Sequence, residues 1–243
     1  AQDSDEFVHN MQPVIDSVKS QDNGFFRLEK TFKRNRNDPM RFNYNGLSHF
    51  SSTEKTFLKT FMKKMGFTNC CGTWAYYCGG STCSVDSLLG VKYLLSRGDI
   101  KGKPYINKFT QNNITVFENP YVLPLCFLAN EKIADVHLTD FNVFEIQNDI
   151  WNSIAGTSHE NIFTPAIVTE SKLENLTSTS SGESTEYKKI DTDKDSYISH
   201  KIKVSSENTL YFYITIPDNQ DTEIFVNGVS LGNFNVYRWD ATA

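Results

Sequence analysis

Between residues 5 and 20 the apolar positions Phe7, Met11, Val14, Ile15 and Val18 fall three and four apart, which places them on one stripe of a helix. Pro13 lies inside that pattern. Because it donates no N–H and crowds the preceding turn, the helix is expected either to kink there or to start near Gln12. "QDNG" ends it, with Gly24 able to take positive φ. The next run, "FFRLEKTF", sets Phe26, Leu28 and Lys30 against Phe25, Arg27 and Glu29 and reads as a strand. Ser51 followed three residues later by Glu54 is a capping box ahead of the stripe Phe57, Leu58, Phe61, Met62 and Met65. A helix is therefore expected from about Ser52, with Lys63 and Lys64 at its negative end and Gly66 as its stop. "GVKYLLS" and "NITVFEN" read as strands, "PLCFLA" as a buried strand, and "FNVFEIQNDIWNSIAG" as a helix halted by Gly156.

From about residue 160 the texture changes. "ESKLENLTSTSSGESTE" reads as a polar linker, and every later element reads as a strand: "YISHKIKVS", "TLYFYITIP" and "TEIFVNGVSLG". Strands 209–216 and 222–227 are expected to be antiparallel neighbours with Phe212, Ile214, Ile224 and Val226 facing a core. Asn227-Gly228 marks a tight hairpin, because a type I′ turn needs positive φ at both central positions. The resulting fold class is α+β: an N-terminal mixed α/β layer domain over 1–160, then a β-sandwich of the carbohydrate-binding-module kind over 161–243. The strands after residue 185 are too few to close a sandwich, so 162–176 is expected to add one, or the sandwich stops short.

Charge narrows the partners. The net charge is −5, and residues 160–243 hold 7 Lys and Arg against 13 Asp and Glu, leaving 17 against 16 before them. An acidic C-terminal part argues against nucleic acid, which needs clustered positive charge. One basic cluster stands out, with Arg27, Lys30, Lys33, Arg34, Arg36 and Arg41 diluted by Glu29 and Asp38. It reads either as a solvated face or as an anion site for phosphates or lipid headgroups. The longest apolar run, "YVLPLCFLA", is far too short to cross a bilayer and contains Pro124. With no initiator Met and no leader, the chain is expected to be a fragment of a longer protein.

Candidate chemistry is sparse. Asp191, Asp193 and Asp195 are spaced like the first ligands of a calcium loop, but Ser196 replaces the turn glycine and Ile202 the bidentate glutamate, so no metal and no cofactor are expected. Cys70, Cys71, Cys78 and Cys83 have no zinc-ribbon spacing. A bridge from the Cys70/Cys71 pair to Cys78 or Cys83 fits an oxidising compartment, and free thiols fit a reducing one; Cys126 reads as a buried thiol. Nucleophile elbows, zinc-helix motifs and phosphate loops are missing, so no catalytic residue is assigned.

"FFRLEKTFKRNRNDPMRFNYNGLSHFSST", "DSLLGVKYLLS", "ITVFENPYVLPLCFLA", "FEIQNDIWNSIAG" and the late "LYFYITIP…IFVNG" strands, in this order, resemble the extracytoplasmic region of the YfhO family of bacterial integral membrane proteins. The cysteine-rich "CCGTWAYYCGGSTC" departs from that family's pattern. The resemblance implies a multi-spanning protein of low-GC Gram-positive bacteria, similar to C-type glycosyltransferases and linked to glycosylation of lipoteichoic acid. In such enzymes the catalytic carboxylate sits in an early loop outside this chain. The resemblance thus implies a location on the extracellular face of the cytoplasmic membrane, with the protein's own transmembrane region as partner. Two roles are open: accessory recognition of teichoic acid or another glycan or anionic polymer, with Arg27, Arg34, Arg36, Tyr44, Asn45 and His49 as contact residues, or a structural or interaction module that caps the membrane part without binding sugar.

Overall fold

The computed structural model describes residues 4–32, 34–35, 37–53, 55–67, 74–75, 77, 81–100, 102–138, 142–181, 184–204, 209–214 and 222–233. In chain order its elements are α1 (Ser4–Gln21), β1 (Arg27–Lys30), α2 (Asp38–Arg41), β2 (His49–Phe50), α3 (Thr56–Lys64), β3 (Trp74–Ala75), α4 (Cys83–Leu88), β4 (Val91–Ser96), β5 (Ile106–Gln111) and β6 (Ile114–Glu118). A 3-10 turn (Glu131–Asp135), α5 (Val143–Ala155), β7 (Ile167–Glu174), β8 (Leu176–Ser181), β9 (Ser184–Lys189), β10 (Tyr197–Lys203), β11 (Glu223–Val226) and β12 (Val229–Asn233) follow. The fold is α+β, as expected, built on small sheets. The chain divides into two compact units, 1–128 with 213–243, and 129–212.

The first unit is organised by a four-stranded sheet in the order β1-β4-β6-β5, in which β1 runs parallel to β4 and the other pairs are antiparallel. All five stripe residues of α1 are buried and join Leu28, Phe32, Phe42, Tyr44, Leu95, Ile114 and Val116 in one core. α1 begins among the described residues at Ser4 and runs through Pro13, so a start near Gln12 is ruled out. The reason is energetic: an interior proline costs about 3 kcal/mol, whereas burying five large apolar side chains gains about 1.5–3 kcal/mol each. Gly24 does not take positive φ; its N–H instead meets the Asp22 carboxylate at 2.9 Å. β5, not anticipated, forms a hairpin with β6 through Asn112 and Asn113, both at positive φ.

Three other expectations fail. α3 starts at Thr56 behind Lys55, which makes no side-chain cap, while Ser51 accepts from the Thr53 N–H at 3.3 Å in a local turn; Glu54 lies outside the described residues. Of its stripe, Met62 and Met65 are buried and Phe57 is exposed. "PLCFLA" forms no strand: 124–129 is irregular and exposed, and Cys126 with it. Residues 209–214 form no strand either, and Phe212, Ile214 and Val226 are exposed; Ile216 lies outside the described residues. Asn227 and Gly228 do turn β11 into β12, at φ 50° and 79°.

In the second unit α5 is capped by Asn142, whose side-chain oxygen accepts from Phe144 and Glu145 N–H at 3.0 and 3.4 Å, and Gly156 ends it at φ 75°. Phe144, Phe163 and Tyr211 cluster beside it, with ring centroids 5.2 to 6.4 Å apart. The segment expected to contribute a strand does so as β7, paired with β10. The supposed Ser/Thr-rich linker is itself the β8–β9 hairpin. These ladders are two-stranded and largely exposed on both faces, so among the described residues the sandwich expected after residue 160 takes the form of separate small sheets.

Candidate functional site

The loop 43–49 is fastened to β1 and to the residue before it through Asn45, Leu47 and Ser48. Asn45 donates its side-chain amide to Phe26 O at 3.2 Å and accepts from Leu28 N–H at 2.8 Å through its own carbonyl. Glu29, fully buried, accepts from the Leu47 N–H, from the Ser48 N–H at 2.8 Å and from the Ser48 hydroxyl at 3.1 Å. Gly46 permits this close approach: a Cβ there would lie 2.7 Å from Pro39 Cγ and 3.1 Å from Glu29 Oε1. Burial pushes the Glu29 carboxyl above its ordinary range, against the opposing pull of the two backbone N–H groups. The loop is thus a mount held by the bonds of Asn45, Leu47 and Ser48.

Ser48 links this mount to a second buried carboxylate, since its hydroxyl accepts from the Tyr77 N–H at 3.0 Å. Asp86 sits on α4, a helix started by Thr82, whose hydroxyl accepts from the Val85 N–H at 3.2 Å. Its carboxylate accepts from the Tyr77 hydroxyl at 2.7 Å and also from the Ser81 and Tyr105 hydroxyls and the Lys103 ammonium. Lys103 donates further to the Tyr77 and Ser81 oxygens, both at 3.1 Å, and lies 5.5 and 5.4 Å from the Tyr77 and Tyr105 ring centres. All three ammonium protons therefore have acceptors. Burial first, and then the Asp86 charge, pushes the Tyr77 and Tyr105 phenols up, so they remain donors rather than bases. Burial likewise pushes up the free Cys83 thiol, which leaves it a weak nucleophile. The network is closed and holds parts together; sequence spacing gives no sign of it.

The residues expected to contact a polymer are dispersed. Arg27 donates to Leu89 O at 2.5 Å and lies over the Phe25 ring at 5.4 Å. Lys30 is buried against Asp38 at 2.7 Å, and Arg41 donates to the Ser4 hydroxyl at 3.2 Å. Arg34 is half-buried in the turn before α2, and Lys33 and Arg36 lie outside the described residues. Tyr44 belongs to the core, where its hydroxyl and Asp38 Oδ1 are buried without hydrogen-bond partners, so its ring is not a contact surface. His49 lies in β2 with Nδ1 3.0 Å from Leu47 O. Arg27 and Asn45 fall on adjoining backbone, because Leu28 N–H donates to Asn45 O.

Among the described residues no three His, Cys, Asp or Glu side chains converge as metal ligands do. In the 191–195 loop Asp191 pairs with Lys194 at 2.9 Å, and Asn175 donates to the carbonyls of Asp191, Lys194 and Asp195. Cys70, Cys71 and Cys78 lie outside the described residues.

What sequence reasoning missed is the surface formed by residues 121–128. Tyr121 is 59% exposed, Leu125 62% and Leu128 fully, with Phe127 and Cys126 exposed between them. Its base is fixed: buried Asn119 accepts from the Tyr121 N–H at 3.0 Å and donates to Val91 O and the Ser87 hydroxyl, and Leu123 N–H donates to Ser87 O at 3.0 Å. The absence of charge in "YVLPLCFL" was the available signal, and it was assigned to burial.

Among the described residues no helix is long and apolar enough to cross a membrane. No curated protein and no solved structure matches the chain. The family described as bacterial membrane protein YfhO matches residues 1–241, nearly every position of the fold just described, and the chain belongs to that family.

Proposed function

We propose that this chain is a non-catalytic interaction module of a YfhO-family membrane protein, seated at the outer face of the cytoplasmic membrane and contacting the membrane part rather than a sugar. One observation carries this reading. The loop 43–49 and two of the basic cluster's cations, Lys30 and Arg41, are engaged within the fold, whereas an uncharged, aromatic-bearing segment is exposed at 121–128. Large exposed apolar patches on folded domains mark interaction surfaces. The second reading is recognition of an acceptor such as lipoteichoic acid or another anionic envelope polymer through Arg27, Arg34, Arg36, Asn45 and His49. The adjoining placement of Arg27 and Asn45 favours it. Titrating lipoteichoic acid onto the purified chain at low and moderate ionic strength separates the two, since exposed charges are screened over about 8 Å at physiological salt. No saturable binding is expected at either salt. Saturable, salt-sensitive binding abolished by Arg34→Ala would establish the polymer reading instead.

A further inference from the structure

Resting on the interaction-module reading, we infer that residues 121–128 form a shallow membrane-docking loop whose partner is the surface of an anionic lipid bilayer. The segment carries no charge, and its tip presents Leu125, Phe127 and Leu128 to solvent. Eight residues broken by Pro124 cannot span hydrocarbon, but they suffice for insertion to the depth of the headgroup boundary.

The base has the composition of an interface. Tyr121, exposed at the root of the segment, is an amphipathic ring of the type that settles at headgroup level. Arg27 stands near Leu123 of the segment: a Cβ placed on Gly90 would lie 3.3 Å from Arg27 Nη1 and 3.8 Å from Leu123 O, so both flank the same glycine. Phe25, half exposed, lies under the Arg27 guanidinium and widens the rim. A cation and two aromatic rings around an apolar tip complement a surface that is anionic at the phosphates and apolar just beneath. The Asn119 and Ser87 hydrogen bonds hold the root of the loop, so little order is lost on docking. Membership of a membrane-protein family supplies the bilayer that such a tip would meet.

The test uses the whole 243-residue chain with sedimentable vesicles of phosphatidylglycerol and phosphatidylcholine, beside Leu125→Asp/Leu128→Asp and Arg27→Gln variants whose melting is checked first. The chain is expected to co-sediment with the anionic vesicles. The double aspartate variant should lose roughly tenfold or more in partitioning, from two apolar side chains no longer buried, and Arg27→Gln should lose less and reduce the salt dependence. Leu128→Trp should show a blue-shifted emission on vesicles. No co-sedimentation and no blue shift, or binding indifferent to the double aspartate change, overturns the inference. A photo-crosslinking residue at position 128 of the full-length membrane protein separates the two levels. Cross-links to lipid support bilayer docking, cross-links to the protein's own membrane segments overturn it while leaving the interaction module standing, and cross-links to neither sink both.

Discussion

Replacing Asp86 with asparagine keeps the side chain's shape and removes the only charge that faces the Lys103 ammonium within their shared network. Asp86 is fully buried and the Lys103 side chain is 12% exposed, so water can do little to replace the lost partner. Breaking a buried pair by neutralising one member costs about 3–5 kcal/mol. The new amide adds to this by placing an N–H₂ among the Tyr77, Ser81, Tyr105 and Lys103 donors, and each mispaired buried donor costs about 1–3 kcal/mol. Lys103 keeps its bonds to the Tyr77 and Ser81 oxygens, which holds the total near about 4 kcal/mol. For a chain of this size that corresponds to a fall in melting temperature of roughly 8–16 °C. Urea unfolding followed by near-ultraviolet circular dichroism, which sees the tyrosines of the network, gives the free energy directly. The double variant Asp86→Leu/Lys103→Met removes both charges and should recover much of the loss. A loss below about 1 kcal/mol for Asp86→Asn, or a double variant worse than the single one, would refute the view that this pair is held by mutual compensation in a dry site.

Three further outcomes follow from the hydrogen bonding and burial of single polar side chains. Glu29 holds its proton more tightly folded than unfolded, so its contribution to stability is present at low pH and declines as pH climbs from the ordinary carboxylate range through the raised folded value; Glu29→Gln should flatten that slope in urea midpoints taken from about pH 4 to 8. Asn142→Ala should cost about 1 kcal/mol by uncapping α5, while Ser51→Ala, at a surface turn away from any helix start, should stay within about 0.5 kcal/mol in the same thermal melts.

Periodicity was a reliable guide where one face of an element is buried by its own neighbours. The α1 stripe, α5 with its Gly156 stop, β4, β6 and the Asn227-Gly228 turn are all as the sequence pattern implies. It failed where burial is decided by distant chain. "PLCFLA" has the composition of a core strand, and nothing local says that no strand of the sheet takes it as a neighbour. The opposite error befell 176–189: with both faces exposed, a strand has no hydrophobic period to betray it, and the Ser/Thr run passes for a linker. The Asp86 network escaped notice because its members, at positions 77, 81, 86, 103 and 105, belong to different segments and follow no motif spacing. In the loop 43–49, Tyr44, Asn45 and His49 invited a contact role, whereas Asn45 and its neighbour Ser48 are fasteners.

The parallel pairing of β1 with β4 carries a kinetic consequence. Arg27 meets Val91, whereas β5 and β6 meet across two asparagines. Closing a loop of roughly sixty residues costs about 2 kcal/mol more chain entropy than closing a tight hairpin. Non-local closure of this kind also slows folding. A chain emerging from its N-terminus must therefore hold the "FFRLEK" segment without its strand partner until β4 arrives, with α1 and the loop 43–49 as its early cover. The sheet is expected to assemble from the β4–β6–β5 meander backwards, β1 docking last, and the interval in which that strand waits is when this protein is most exposed to mispairing and to proteolysis.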